Sequence, residues 1–393
     1  MDCGLDGCKK RGCTRKEFLE ALAQHSILSL CFAQAFSPSY VCARLLTQQE
    51  GKRKKVSLAE ARYYRKLEGK KVQCLLCPHG CEVTEGERGE CGVRENIGGT
   101  YYSLNYGRPC AQHVDPVEKK PLFHVFPGVR VFSIAAVGCN LNCLFCQNWQ
   151  ISQADPEEVA YEEVSADEIV KRAMDKGCPL IAYTYSEPTV FFEYMLEIAK
   201  KAHEKGIINT CHSNGFINPE PLSELYRYID AANIDLKGFT SEYYSGMCGG
   251  ALEPVLESLK AIVKKGVHLE LTNLMVPTKN DKMETVRNMV KWIKGELGPD
   301  VPVHFSRFYP RYKLRNLPPT PVETLERARE VALEEGLHFV YIGNVPPGHE
   351  AENTYCPHCH KLLVERRGYV VKKNVIQGGE CPDCKKPIPG RWE

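Results

Sequence analysis

The chain has 393 residues, 43% of them apolar and 25% charged, with a formal net charge of +2. These values describe a soluble globular protein with one large core and smaller modules, and they exclude a disordered low-complexity chain and a disulfide-stapled miniprotein. No stretch reaches the roughly 20 consecutive apolar residues of a membrane span. Twenty cysteines is a high number for this length. Ten of them fall in C-x2-C or C-x3-C groups. Disulfide frameworks belong to short secreted domains, so metal binding in a reducing, oxygen-poor setting is the better account.

Residues 1–55 form an N-terminal segment with its own composition. Residues 1–71 carry fifteen Lys and Arg against seven Asp and Glu, and the basic run Lys52–Lys55 reads as a solvated face rather than a nucleic-acid contact. Thr14-Arg15-Lys16-Glu17-Phe18-Leu19 is a degenerate twin-arginine export motif followed by the moderately apolar stretch 21–36. Gln24, His25 and Ser26 interrupt that stretch, so the expectation is a vestigial signal on a cytoplasmic protein. Residues 56–128 form the next unit. Its start, 56–72, reads as a helix. Cys74, Cys77, Cys81 and Cys91 follow, with Pro78, Gly80 and Gly92 between and beside them. Four thiols at this spacing suit either a tetrahedral zinc or an auxiliary iron–sulfur cluster, with His79 a bystander. Residues 101–128 read as a connector.

Residues 129–342 carry a strand–helix alternation. Strand-like runs recur at 131–136, 180–185, 207–211, 232–236, 268–276 and 302–308, with amphipathic helices at 166–176, 190–205, 255–265, 283–296 and 322–335. Such alternation implies a parallel sheet with right-handed crossovers, and in α/β barrels the chemistry gathers at the carboxyl ends of the strands. Directly after the first strand, Cys139, Cys143 and Cys146 stand at C-x3-C-x2-C spacing among the loop formers Gly138, Asn140 and Asn142. A helical core stripe has the same spacing, but the strand-and-loop context favours a metal loop. A cubane cluster normally takes four thiolates; three leave one iron open.

The arrangement Cys139-x3-Cys143-x-Phe145-Cys146 resembles the signature of the radical S-adenosylmethionine (SAM) enzymes. The wider chain is similar to the radical SAM protein of the AmmeMemoRadiSam system and to pyruvate formate-lyase activating enzymes. The resemblance implies a partial (β/α)6 barrel, a [4Fe-4S] cluster on Cys139, Cys143 and Cys146, SAM chelated to the open iron, and Phe145 beside the adenine. It also places functions at later strand ends. Glu187, in Tyr185-Ser186-Glu187-Pro188, would accept from the SAM amino group; Ser213 and Asn214 would lie near its carboxylate and ribose. Asp235 and Lys237, in an Asp-Leu-Lys motif, would point into the active site, and Asn273 would contact SAM. The segment Asp115–His124 and the ending Pro387–Trp392 resemble the AmmeMemoRadiSam proteins.

Residues 343–393 close the chain with Cys356-Pro-His-Cys359 and Cys381-Pro-Asp-Cys384. This pair of knuckles is a strong signal for a zinc ribbon or a rubredoxin-like iron site that staples a small hairpin. The functional expectation is reductive cleavage of SAM to a 5′-deoxyadenosyl radical that takes hydrogen from a small-molecule or protein substrate. The alternatives are an activase that installs a glycyl radical on a partner protein and a non-catalytic iron–sulfur or zinc electron carrier. A low-potential donor such as ferredoxin or flavodoxin is implied, with possible partners from a multi-protein system, no nucleic acid and no membrane.

Overall fold

The computed structural model describes residues 58–392. The export-like motif and the Lys52–Lys55 run lie outside the described residues.

The stretch expected to be helical is strand instead. It forms β1 (Ala59–Glu60) and β2 (Tyr64–Lys66), a 3-10 turn at Glu68–Lys70, and β3 (Val72–Cys74). β4 (Glu82–Val83), β5 (Arg94–Ile97) and β6 (Thr100–Ser103) complete two small antiparallel sheets, in the orders β1-β6-β5 and β2-β3-β4. The helix formers of this segment are overruled because Tyr63, Gly69 and Lys70 take positive φ, which no helix tolerates, while Tyr64 and Lys66 pair with Cys74 and Val72.

The expected connector also contains a strand. β7 (Pro109–Pro116) runs antiparallel along β8 (Arg130–Ala136), with Asp115 opposite Val131. β8 starts the parallel series. It continues through β9 (Leu180–Tyr183), β10 (Ile208–Ser213), β11 (Ala231–Asp235), β12 (His268–Met275), β13 (Val303–Arg307) and β14 (Val340–Gly343). The eight strands are ordered β14-β13-β12-β11-β10-β9-β8-β7, and β7 and β14 do not pair, so the sheet is open. It has seven parallel strands, one more than the six expected. β8 and β9 are buried almost throughout, as strands covered on both faces must be.

The crossover helices are α1 (Ala166–Asp175), α2 (Phe192–Glu204), α3 (Pro219–Leu225), α4 (Leu252–Lys264), α5 (Met283–Glu296) and α6 (Val322–Glu334). α1 begins at a capping box: Ser165 Oγ accepts from the Glu168 backbone N–H at 3.3 Å. α3 was missed in the sequence because Pro219 and Pro221 lie in its seven residues; proline is tolerated in a first turn.

After β14 come β15 (Thr354–Tyr355), β16 (Leu362–Arg367) and β17 (Val370–Asn374), an antiparallel ribbon. Its apolar side joins Phe123, Phe339 and Tyr341 in a separate small core. The last residues return to the segment before β8: the Phe126 N–H donates to Arg391 O and the Arg391 N–H to His124 O, both at 2.7 Å. No helix among the described residues is long and apolar enough to cross a membrane.

Candidate active site

The loop after β8 is suspended from several elements. The Asn142 and Leu144 N–H groups donate to the carbonyls of Cys248 and Met247 at 2.7 and 3.0 Å, and the Gly138 N–H donates to Ile151 O at 2.9 Å. These bonds satisfy backbone that has no ladder partner, and they turn three thiols toward one cavity of about 500 Å³. Cys139, Cys143 and Cys146 line it, with Cys143 buried and the other two partly exposed. Phe145, buried, stands in the same wall.

The ends of β9 to β11 supply the polar side. Glu187, buried, accepts from Ser213 Oγ at 2.7 Å, from the Asn214 N–H at 2.8 Å and from the Thr189 N–H at 3.0 Å. Its carboxylate thereby ties the β9 loop to the β10 loop. Oε1 already accepts two of these bonds, so Oε2, which accepts one, retains acceptor capacity for a donor in the cavity. Asn214 Nδ2 reaches Asn140 Oδ1 at 2.8 Å, so the β10 loop also grips the cysteine loop.

At the end of β11, Asp235 sits between Lys237 Nζ at 2.8 Å and His212 Nε2 at 3.0 Å. Burial alone would raise the Asp235 carboxyl, but the charges of Lys237 and His212 hold it well below the usual carboxylate range. His212 stands on β10, and its Nε2 reaches Asp235 Oδ1 across to β11.

Of the sequence-singled residues, Cys139, Cys143, Cys146, Phe145, Glu187, Ser213, Asn214, Asp235 and Lys237 all line the cavity. Asn273 does not. Strand side chains alternate, so its neighbours Thr272 and Leu274 face the cavity while Asn273 turns outward. Its Nδ2 donates to Leu236 O at 2.7 Å and lies 3.8 Å from Met289 Sδ on α5.

Further residues at or beside the cavity were not assigned a role by the sequence. Asp115 on β7 binds Lys119 at 2.8 Å, Lys120 at 2.7 Å and Ser133 Oγ at 2.8 Å, and accepts from the Tyr185 hydroxyl. The Lys120 ammonium lies 4.1 Å from the Tyr185 ring centroid, a cation–π distance. Burial lowers the Lys120 pKa to about 8 although Asp115 opposes it. Tyr185 and Ser186 lie in the loop after β9, directly before Glu187. Ser186 Oγ donates to Ala136 O at 2.5 Å, and Tyr185 takes positive φ. Tyr369, between β16 and β17, brings the C-terminal ribbon to the cavity. An Asp followed four and five residues later by Lys, in a strand with buried Asp, was the available signal for the Asp115 cluster.

The two outer cysteine modules differ. Cys356, Cys359, Cys381 and Cys384 place their sulfurs within 4.8 Å of one another, with 3.6 Å between Cys356 and Cys384 and between Cys359 and Cys381. One tetrahedral ion with metal–sulfur bonds near 2.3 Å needs about this spacing, so the group can hold a metal. Cys74, Cys77, Cys81 and Cys91 instead line a separate small cavity. His79 lines the same cavity; its Nε2 lies 2.7 Å from Asn140 O and its ring stands edge-on to Phe216 at 5.1 Å.

Residues 133–293, from β8 through most of α5, match the model of the radical SAM superfamily. The chain belongs to that superfamily. It is 50% identical over 335 residues to an uncharacterized protein of Methanocaldococcus jannaschii, covering 84% of this chain and 99% of the relative. It is 23% identical to the pyruvate formate-lyase-activating enzyme of Clostridium pasteurianum, over 54% of this chain and 91% of the relative. A putative glycyl-radical enzyme activating enzyme of M. jannaschii is 27% identical over 40% of this chain and 65% of its own length.

Proposed function

We propose that the chain cleaves SAM reductively and uses the radical produced to take hydrogen from a bound substrate. The observation that carries this reading is convergence: three loop thiols, the Glu187 carboxylate, Ser213 with Asn214, and the Asp235–Lys237 pair, from four successive strand ends, face one cavity. A [4Fe-4S] cluster with SAM would supply one electron to cleave the sulfonium into methionine and a 5′-deoxyadenosyl radical. The donor set fits that cofactor, since three thiolates hold three irons and leave the fourth for SAM.

The chain's own residues bind and orient. Glu187, already held by Ser213 and the Asn214 N–H, presents a fixed acceptor to the SAM amino group. Ser213 and Asn214 would lie beside the methionine carboxylate and ribose, and Phe145 would pack by the adenine. Lys237, neutralised by Asp235, offers N–H donors to the substrate side. The buried Lys120 and Tyr185, opposite, select for a substrate with acceptor groups. Tyr369 limits access at the ribbon side. A ferredoxin or flavodoxin in the cytoplasm would serve as electron donor. The C-terminal quartet would hold zinc, stapling a ribbon whose own core is small.

The docking of the tail on the segment before β8 unites the two stretches that resemble the AmmeMemoRadiSam proteins, and it supports placing this chain in that system, with partner proteins. A second reading, activation of a glycyl-radical protein, is favoured by the Asp235-Leu236-Lys237 motif and by the activating-enzyme relatives. Tyr369 at the cavity counts against a large partner segment entering.

The test is EPR of the anaerobically reduced protein with and without SAM. A spectrum that changes on adding SAM, and is lost in Cys143→Ala, supports the reading. A four-iron signal at these thiols that SAM leaves unchanged refutes it.

A further inference from the structure

The thiols of this chain are held at two different spacings. The C-terminal quartet is closed around the space of one ion. Among the described residues it is also the one group of three or more His, Cys, Asp or Glu ligand atoms gathered within 4.8 Å of one another. The active-site triad, whose expected occupant is a cubane, is spread more widely than that. The quartet Cys74, Cys77, Cys81 and Cys91 is spread in the same way, yet all four side chains line one small cavity. A single ion cannot bridge such a set, whereas a cluster interposes several irons and sulfides between its thiolates.

Two further observations point into that cavity. The Tyr101 hydroxyl and Arg94 Nε are buried, line it and have no hydrogen-bond partner. Unpaired donors at such depth are costly unless something accepts from them, and sulfides and thiolate sulfurs are acceptors. Arg94 is otherwise well anchored, with its terminal nitrogens 2.7 and 2.8 Å from the Glu193 carboxylate and 3.2 Å from Arg62 O. Its remaining N–H, on Nε, has no partner. Gly89 has the room made for it: a Cβ there would stand 2.7 Å from the Tyr101 hydroxyl and 3.6 Å from Cys81 Sγ.

We propose that Cys74, Cys77, Cys81 and Cys91 ligate a second iron–sulfur cluster, with Tyr101 and Arg94 donating to its sulfur atoms. It would lie against the active-site loop. Asn140, the residue after Cys139, forms part of its wall, and a Cβ on Gly138 would stand 3.1 Å from Cys91 O. The proposal is independent of turnover at the SAM site.

The full chain is purified without oxygen and its iron, sulfide and zinc are counted. In Cys139→Ala/Cys143→Ala/Cys146→Ala, about four irons and four sulfides should remain, with an EPR signal that SAM does not alter. In Cys77→Ala/Cys91→Ala a similar number should remain, with a signal that SAM does alter. In the wild type the two reduced clusters should broaden one another's spectra. A triple variant that is folded but holds no iron, or that holds zinc at this quartet, overturns the proposal while the second variant still reports on SAM binding. If the second variant does not fold, the triple variant decides alone.

Discussion

Asn214 Nδ2 donates to Asn140 Oδ1 at 2.8 Å, and both residues are buried. The bond joins the end of β10 to the cysteine loop. Asn140 Nδ2 in turn donates to Phe216 O at 2.7 Å, closing the loop on the residues that follow Asn214. Removing the Asn214 amide leaves a buried acceptor without its donor. Asn214→Ala should therefore lose about 1–3 kcal/mol of stability and weaken SAM binding roughly tenfold. Thermal unfolding and SAM titration of the reconstituted protein check both parts; unchanged SAM affinity would remove Asn214 from the binding site.

Glu187 carries two duties that a single substitution separates. Glu187→Gln keeps one oxygen but abolishes the charge proposed to attract the SAM amino group, and its amide NH2 faces a buried N–H or O–H donor. SAM affinity should fall by about ten- to a hundredfold, with about 1–3 kcal/mol of stability lost. A large loss of stability with unaltered affinity would make Glu187 a purely structural tie between β9 and β10.

Stability should fall in mild acid because of His124. This buried ring lies 2.6 Å from Pro389 O through Nδ1 and 2.7 Å from the Tyr341 hydroxyl through Nε2. One hydrogen on Nδ1 satisfies both contacts, with Tyr341 donating to Nε2. Burial pulls its pKa down to about 3, against an attraction from Glu270 and with His268 and Arg366 also nearby. The unfolded chain binds a proton at this residue below about pH 6.5 and the folded chain does not, so stability rises with pH across that window. The loss between pH 7 and pH 5 should be about 2 kcal/mol from this group. Denaturant unfolding across that range, compared with His124→Gln, checks it; equal slopes for the two proteins would contradict it.

The motifs of the candidate site were legible because they fall in loops or at strand ends, where spacing and residue type survive without tertiary knowledge. Cys139, Cys143, Cys146, Glu187 and Asp235, singled out this way, all line one cavity. Asn273 was misplaced because it lies inside β12, where a one-residue step moves a side chain to the opposite face. Tyr369 was invisible, and Lys120 stood out only as part of the 115–124 segment, for another reason. They reach the cavity from the ribbon and from the edge of β7, contacts between segments far apart in the chain. The start of the N-terminal module misled because its helix formers are held in strands by pairing with residues across the two small sheets.

The C-terminal quartet should contain one metal ion, and its removal should be felt in the ribbon. Cys356 and Cys381 are buried in a core of only a few side chains, which includes Phe123 from the segment before β8. Cys381→Ser should lower the metal content by one zinc and the melting temperature by roughly 5 °C or more. Metal analysis and calorimetry check this. Iron in place of zinc would turn the ribbon into a redox site.

The most direct test of the account is 5′-deoxyadenosine formation by anaerobically reconstituted enzyme given dithionite and SAM, beside Cys143→Ala. The account predicts 5′-deoxyadenosine and methionine from the wild type and neither from the variant. A wild type with a reducible four-iron cluster that leaves SAM intact would contradict it.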